Sequence, residues 1–508
     1  MRNVLNRFDV VVVGGGTAGC AVAARLAGSG RKVLVLEAGP DYGHASSGRW
    51  PADLLSAATI PSSHDWGYRG TGAGGQHLEF ERCRAIGGCS THNGATQNVG
   101  WGGDYDRWSA TGLIGWSAAD LEPFFEAAGK ALNLRTYREE QLQPFQTAFV
   151  AAAAGQGLET RNDFLSLNGI AGVGYSPVSI TDDGTRINTA FAYLDDLRES
   201  GRLTVLGDVE VAGLRLEQGR AVGVYVHTPG RAAAEPAEPA LVYADSVVVS
   251  AGAYGSPELL LRSGIGPAGD LARVGVPVQC DLPGVGKGLQ DHPSLQLEYA
   301  GTPELASALA EFGTNQWLPD EQAIAKVKSP EADDAPFDLH IYPWTERDPV
   351  TPNGWRCVIP IGLVKPRSRG SLTLKLEGGE LRTEVNHAYL ADPRDMNAVR
   401  YGMEWAEEIV GAGISEFSRY LGPRLNPMAG LTTDWIAANH RHYWHPVGTC
   451  KMGAPASGGV VNHRGAVHGI ENLYVADASV FPDIPRGTTA LPTTVVGERI
   501  ASFLLEDN

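Results

Sequence analysis

The sequence predicts a mixed α/β (α+β) fold with two domains, one built on a parallel sheet and one on a mostly antiparallel sheet with helices. Near the N-terminus, an apolar strand at Phe8–Val13 leads through a glycine turn into a helix and then a second strand at Lys32–Leu36. Later, strand-like segments follow one another at Leu339–Tyr342, Cys357–Val364 and Ser371–Leu376. Strands that alternate with helices form parallel sheets, and successive strands form antiparallel ones. The length of 508 residues also favours two domains.

The N-terminal strand–helix–strand unit carries the pattern of a dinucleotide cradle. Its turn reads Gly14-x-Gly16-x-x-Gly19, and Glu37 ends the second strand about twenty positions on. Three glycines allow the tight turn, the approach of a pyrophosphate and close helix–strand packing. The acidic residue is suited to a ribose hydroxyl, and the start of the helix to phosphate charge. The sequence therefore predicts a Rossmann-type dinucleotide-binding unit.

The C-terminal region offers a histidine in an aromatic setting and a second buried strand. His445 follows Tyr443 and Trp444 and precedes a Pro-Val-Gly turn. The strand Leu473–Ala476 then ends in an acidic turn at Asp477. A chain with a cradle at one end and such a strand at the other is expected to fold its last residues back onto its first. This would place His445 beside the molecule that the cradle holds.

Composition and charge argue against several classes of protein. The net charge of −17 argues against nucleic acid as a partner. The six cysteines form no Cys-x-x-Cys pair, so we expect neither a metal site nor a disulfide framework, and a reducing cytoplasm fits best. No run of residues approaches a membrane span. The low-complexity segment Pro229–Pro239 predicts a mobile hairpin tip. Nothing in the sequence indicates an oligomeric state.

Several further stretches, in a fixed order, carry a family resemblance. Together with the cradle they are Gly252–Gly266, Pro283–Pro293, His445–Thr449, Val475–Ser479 and Pro492–Glu498. In these motifs the chain resembles the glucose–methanol–choline oxidoreductases, flavoproteins that oxidise alcohols with FAD, and the likeness extends over nearly its whole length. The resemblance implies an FAD-binding domain assembled from residues 1–45, 82–110, 200–295 and 465–508. It implies a substrate-binding domain assembled from residues 46–81, 111–199 and 296–464.

The resemblance also implies cofactor-binding residues. Gly14, Gly16, Gly19 and Glu37 would hold the ADP half of FAD, and the backbone of Val209 would meet the adenine. Asp477 and Ala478 would lie near the pyrophosphate and the flavin. Further cofactor contacts are expected at Gly88, Asn93, Ala251, Trp444, Pro492 and Thr493.

The stretch Arg84–Gly94 corresponds to a family signature with two departures. Cys89 stands where most members have Ser, and His92 stands where they have an aliphatic residue. The arrangement is similar to that of choline oxidases in this family, in which a histidine is joined covalently to the 8α-methyl of the flavin. A neutral imidazole is a nucleophile, so a covalent link through His92 is chemically reasonable. A noncovalent contact with FAD, or a merely hydrogen-bonded loop histidine, is the alternative.

His445 matches the catalytic histidine of the family, which would remove the hydroxyl proton of an alcohol while its hydride goes to flavin N5. A packed histidine of no chemical role is the alternative. At the second catalytic position, where the family has Asn or His, this chain has Ala490. Alanine can neither donate nor accept a hydrogen bond. Thr488 or Thr489 could substitute, a side chain of the other domain could, or His445 could act alone.

The resulting hypothesis is FAD-dependent oxidation of an alcohol to an aldehyde or ketone, with reoxidation by molecular oxygen or another acceptor. The substrate is expected to be a polar alcohol, either a choline-like cation or a sugar or aminoglycoside hydroxyl. Because of Ala490, a lyase of the hydroxynitrile-lyase type with non-redox FAD is an alternative. A non-enzymatic FAD-binding protein is a third. The sequence does not separate oxidase from dehydrogenase.

Overall fold

A computed structural model describes residues 7–58, 60–227, 239–319, 321–411, 415–426 and 430–506. The hairpin tip predicted at Pro229–Pro239 lies, except for Pro239, outside the described residues. Within these ranges, no helix is both long and apolar enough to cross a membrane.

The described strands and helices are spread along the whole chain, and several strands follow one another without a helix between them. The strands are β1 (Phe8–Val13), β2 (Val33–Leu36), β3 (Tyr68–Thr71), β4 (His77–Phe80), β5 (Thr160–Arg161), β6 (Gly172–Tyr175), β7 (Leu203–Leu206), β8 (Val211–Glu217), β9 (Arg220–Val226), β10 (Ala240–Val249), β11 (Ile265–Gly266), β12 (Cys280–Asp281), β13 (Lys287–Leu289), β14 (Ser294–Gly301), β15 (Ala323–Val327), β16 (Leu339–Ile341), β17 (Trp344–Arg347), β18 (Trp355–Leu363), β19 (Gly370–Glu377), β20 (Glu380–Asn386), β21 (Leu421–Arg424) and β22 (Leu473–Val475). The helices are α1 (Thr17–Gly28), α2 (Ala52–Leu55), α3 (Gly102–Ala110), α4 (Ala118–Ala131), α5 (Pro144–Gly155), α6 (Thr189–Tyr193), α7 (Gly252–Arg262), α8 (Ala268–Arg273), α9 (Pro303–Phe312), α10 (Pro393–Gly411), α11 (Thr433–Asn439) and α12 (Ala490–Glu506).

The first sheet is parallel, in the order β7-β2-β1-β10-β22. Its central strands are apolar because helices cover the sheet, and four of the six residues of β1 are consecutive valines. The predicted unit β1–α1–β2 is confirmed, and so is the return of the C-terminal strand to the N-terminal sheet. The first half of β10 continues into an antiparallel ribbon with β9 and β8. Strand β8 begins at Val211, three residues after Asp208, which has a left-handed φ of +57°.

The second sheet is the predicted antiparallel one. Its order is β21-β14-β18-β16-β15-β6-β5, with β17 beside β18, and its only parallel pair among the described strands is β5 with β6. Helix α10 packs on it so closely that a Cβ on Gly402 would lie 2.5 Å from Ile361 Cγ2. This helix begins at Pro393.

A third sheet includes two strands from the stretch between residues 40 and 82. Strands β3 and β4 form a hairpin there, and β3 pairs in parallel with β20 in the order β13-β19-β20-β3-β4. Most residues of this hairpin are exposed or partly exposed. Its sequence therefore contains no apolar run that would predict a strand. Its partner is more than 300 positions away, so local pattern could not reveal it. All strands of the first sheet come from segments assigned to the FAD-binding domain, although the domain boundaries themselves stay predictions.

We predict that Gly19→Ala destabilises the fold while Gly28→Ala in the same helix does not. A Cβ on Gly19 would lie 2.0 Å from the Gly14 carbonyl oxygen, whereas a Cβ on Gly28 meets nothing within 4 Å. Overpacking of this kind costs about 1–3 kcal/mol. The measurement is the denaturant midpoint of each variant. Equal midpoints for Gly19→Ala and wild type would contradict the close contact between α1 and the turn.

Candidate active site

One cavity of about 520 Å³ extends along the edge of the first sheet and reaches the second. Most of the sequence-predicted site residues line it, namely Gly14, Gly16, Glu37, Gly88, His92, Asn93, Val209, Ala251, Trp444, His445, Asp477, Ala478 and Thr493. Gly19 and Pro492 do not line it. Gly19 packs under the turn, and Pro492 lies buried in the first turn of α12.

The glycine turn brings backbone to the cavity wall. Gly14 has a φ of +98°, and a Cβ there would lie 2.4 Å from the Ser250 carbonyl oxygen. A Cβ on Gly88 would lie 2.7 Å from Gly16 Cα, so the signature loop and the turn touch through glycines. Glu37 is held in place because its carboxylate accepts hydrogen bonds from the N–H groups of Gly15 and Gly39, each at 2.9 Å. Burial raises the pKa of Glu37.

Asp477 joins the C-terminal strand to helix α7. It follows β22, and its carboxylate accepts from Gly252 N at 2.9 Å, Ser256 Oγ at 2.5 Å and Ser479 N at 2.8 Å. Burial raises its pKa although these bonds oppose the shift. The start of α7 and the residues after β22 therefore form one wall of the cavity.

A second buried carboxylate, Asp291, fixes the histidine loop. Its Oδ1 accepts from the N–H groups of His292 and His445, both at 2.8 Å, and its Oδ2 accepts from Tyr389 Oη at 2.7 Å. Burial raises the pKa of Asp291 to about 6 in spite of these bonds. The sequence had singled out the Pro283–Pro293 stretch without assigning either Asp291 or His292 a task.

His445 faces a second histidine. Its Nδ1 lies 3.0 Å from Nδ1 of His292, so one ring donates and the other accepts. Among the described residues, no other group is hydrogen-bonded to the His445 ring, which leaves Nε2 for a molecule in the cavity. Burial lowers the pKa of His445 well below its ordinary value, and His292 and Arg82 reinforce the effect. His445 is therefore neutral at neutral pH and able to accept a proton.

Trp444, next to this histidine, has a left-handed φ of +60°. Such a conformation costs of order 1–3 kcal/mol for a residue other than glycine. Two hydrogen bonds maintain it, one from Trp444 Nε1 to Glu81 Oε2 at 2.9 Å and one from Arg82 Nη1 to the Trp444 carbonyl at 3.0 Å. Strained backbone thus aims His445 at the cavity.

The signature loop presents two reactive side chains to the same cavity. Gly88–Thr91 is a 3₁₀ turn, and Asn93 N donates to the Cys89 carbonyl at 3.1 Å. Side chains three apart on such a turn eclipse, so Cys89 and His92 share a face. Burial raises the pKa of the Cys89 thiol, but the Arg82 charge and a hydrogen bond with His92 outweigh it and lower the pKa to about 6.

The end of the cavity beyond His445 is aromatic with one carboxylate. The ring centroids of Tyr342 and Tyr443 are 5.3 Å apart, and that of Tyr443 is 4.8 Å from His445. Glu321 accepts from Thr96 Oγ1 at 2.5 Å, and burial raises its pKa. No sequence motif indicated Glu321 or Tyr342 as site residues, because the part of the chain around them carries no recognisable functional pattern. Thr488, Thr489 and Ala490 all line the cavity as well.

These features fit a flavin dinucleotide. The glycine turn and Glu37 suit the ADP half, and His92 and His445 line the same cavity. A dinucleotide cradle joined to a neutral, buried histidine in one cavity defines an FAD-dependent oxidoreductase. Profiles of the GMC oxidoreductase family match residues 8–294 and 366–497. The chain belongs to the GMC oxidoreductase family.

Named relatives agree with this assignment. The oxygen-dependent choline dehydrogenases of Photobacterium profundum and Rhizobium etli are each 30% identical to the chain over 98% of its length, covering 93% and 95% of their own. Pyridoxine 4-oxidase from Mesorbium loti has a TM-score of 0.84 and 27% identity, with 98% of this chain and 99% of that one covered. A variant of Aspergillus oryzae formate oxidase, 21% identical with a TM-score of 0.84 and 99% of both chains covered, shares the fold.

The protein is thus an FAD-dependent alcohol oxidoreductase with a Rossmann-type cofactor fold and an antiparallel second sheet. The lyase alternative finds no support among these relatives.

Proposed function

We propose that His445 is the base that removes the hydroxyl proton of a polar alcohol bearing a nitrogen cation. When bound, FAD supplies the acceptor for the hydride of the carbinol carbon. The observation that carries the proposal is the environment of His445: one ring nitrogen is engaged by His292 at 3.0 Å, and the other is directed to the cavity. With hydrogen on Nδ1 donated to His292, Nε2 presents a lone pair to the substrate hydroxyl.

The second catalytic group is proposed to be Thr489. It stands beside Ala490, lines the cavity, and its hydroxyl has no hydrogen-bond partner within the described part of the chain. Thr488 instead reaches the Thr96 carbonyl at 3.5 Å. A hydroxyl that donates to the substrate oxygen would replace the Asn or His of other members and stabilise developing negative charge.

The preference for a cationic alcohol rests on Glu321 and the tyrosine rings. A carboxylate with aromatic faces nearby attracts quaternary or protonated amines. Relatives named for choline and pyridoxine support a nitrogen-containing alcohol, and the term oxygen-dependent in the choline dehydrogenases supports molecular oxygen as the acceptor. The six unpaired cysteines are consistent with the proposed cytoplasmic location.

The flavin is proposed to be attached through His92. This side chain is buried at the cavity wall, on the same face of the 3₁₀ turn as Cys89. The Cys89 thiolate would be the base nearest to His92 for the protons that the flavin methyl and the imidazole would lose; the flavin would take up the two electrons, and molecular oxygen would reoxidise it.

The function is tested with choline and with its neutral isostere 3,3-dimethylbutan-1-ol. Anaerobic mixing with choline is expected to bleach the flavin. Glu321→Gln should raise the choline KM about tenfold, because it removes one hydrogen-bonding or ionic contact with a charged group. The isostere should respond little to the same variant. A flavin that stays oxidised with every alcohol would contradict oxidoreduction, and an equal loss for both alcohols would contradict the role of Glu321.

Replacement of the base should slow flavin reduction. We expect His445→Asn to lower the rate about 10²- to 10⁴-fold, with His442→Asn, which does not line the cavity, as the matched control. Since the pKa of His445 is lowered, the wild-type rate should stay level as pH falls from 8 to 6 and decline only in more acid solution. Stopped-flow bleaching measures both. A wild-type rate that already declines between pH 8 and pH 6 would argue against His445 as this base.

Covalent attachment has a readout that needs no activity. Flavin fluorescence should stay with the denatured wild-type chain on a gel, because a carbon–nitrogen bond survives denaturation. His92→Ala should release it, and His445→Asn should retain it. Flavin that leaves the denatured wild type rules out the link.

A further inference from the structure

Two buried basic side chains stand behind the histidine pair. Lys326 on β15 and His340 on β16 are fully buried and directly opposite each other in the antiparallel pairing. Within the described residues, no protein group is hydrogen-bonded to Lys326 Nζ or to either ring nitrogen of His340. The Phe337 ring contacts both side chains, at 5.0 Å from Lys326 Nζ and 5.7 Å from the His340 ring, but such contacts do not replace the hydrogen bonds that buried nitrogen atoms lose.

Both side chains lie on the face of the second sheet that looks into the cavity. Ile324 and Tyr342, two positions from Lys326 and His340 along their strands, line the cavity. The residue paired with His340 on β18 is Gly362, where a Cβ would lie 2.7 Å from the Tyr443 ring. The Tyr443 ring therefore packs directly on the β18 backbone beside His340, which brings the histidine loop against this part of the sheet.

Electrostatic coupling links these residues to the active site. The pKa of His292 is lowered well below its ordinary value by burial and then by His340. The pKa of His340 is lowered by burial and then by Lys326 and His445. His292 in turn lies 3.0 Å from His445. The strand register agrees with this coupling, because Ser294, two positions after His292, and His340 both pair with Gly362 of β18.

The outer end of the series is close to solvent. Lys326 Nζ lies 4.7 Å from the Phe164 ring centroid, and a Cβ on Gly169 would lie 4.0 Å from it. The segment from Asp163 to Gly169 is at the surface, with Leu165 exposed by 42%. The side chain of Asp163 is 37% exposed, and its negative charge favours the protonated form of Lys326.

We propose that His292, His340 and Lys326 form a proton relay between His445 and solvent beside Asp163. The proposal rests on the proposed role of His445 as base. A protonated His445 would be a buried cation repelled by Arg82, and both effects favour loss of its proton. Only protons move: His445 gains one on Nε2 and passes its Nδ1 proton to His292. His292 passes one to His340, His340 passes one to Lys326, and Lys326 releases one to solvent.

Lys326 is suited to the outer position. Burial lowers its pKa to about 8, against the effect of Asp163, so the amine exchanges between its charged and neutral forms near neutral pH. Two further cations act on the path: Lys365 opposes a proton on His292, and Arg82 opposes one on His445. Run in reverse, the path would supply the proton consumed when molecular oxygen is reduced.

The test uses no alcohol, so it stands apart from the test of the proposed function. Holoenzyme is photoreduced without oxygen and mixed with ferrocenium, which accepts only electrons, in weakly buffered phenol red. Flavin oxidation and the release of one proton are followed together. Wild type should release the proton in step with oxidation. Lys326→Met and His340→Gln should delay release about tenfold or more, and exposed Lys328→Met should not.

Stability separates a relay from a structural role. Lys326→Met replaces a buried, unpaired amine with an apolar chain of similar length, so its denaturant midpoint should equal or exceed that of wild type. Proton release that stays in step with flavin oxidation in both variants would overturn the relay. A delay accompanied by a lowered midpoint in Lys326→Met would also overturn it, because Lys326 would then be needed for the fold.

Discussion

The parallel pairing of β22 with β10 is the contact on which the site depends. It sets Leu473 beside Val247 and carries the chain to Asp477 at the edge of the sheet. The histidine loop is then attached to the residues that follow β22, because Gly448, Cys450 and Met452 donate backbone hydrogen bonds to residues 478–480. Helix α12 packs closely against α1, since a Cβ on Gly497 would lie 2.6 Å from the Ala18 carbonyl oxygen. His445 is therefore positioned relative to the cradle by backbone pairing.

Within that frame, buried carboxylates act as structural ligands for backbone. Glu37, Asp477 and Asp291 each accept at least two hydrogen bonds from main-chain N–H groups. Burial raises the pKa of all three, so their charge is disfavoured and the bonds compensate for it. Burial also keeps the histidines near Asp291 neutral. The same exclusion of water thus costs stability at the carboxylates and provides an uncharged base at His445.

How much could be foreseen depended on whether a pattern was local. The unit β1–α1–β2 was predictable because its apolar runs, glycine spacing and Glu37 all lie within thirty residues. The approach of His445 to the cradle could be predicted from the second buried strand. The β3–β4 hairpin could not, because its pairing with β20 is set by tertiary packing rather than by its own polar residues. Glu321 and Tyr342 were missed for the same reason. Asp291 and His292 lay in a recognised stretch, but only their three-dimensional contacts showed what they hold.

The lining of the cavity extends from Val13 to Thr493, so its parts are separated by nearly the whole chain. No early segment can enclose the cofactor during synthesis, and the edge of β10 stays open until β22 has left the ribosome. A molecule that binds only the closed arrangement stabilises it by mass action. Binding of cellular FAD would therefore favour the folded state of this chain. Cofactor supply would set how long an unfinished sheet edge is exposed to aggregation, so flavin shortage would reduce the amount of protein as well as its activity.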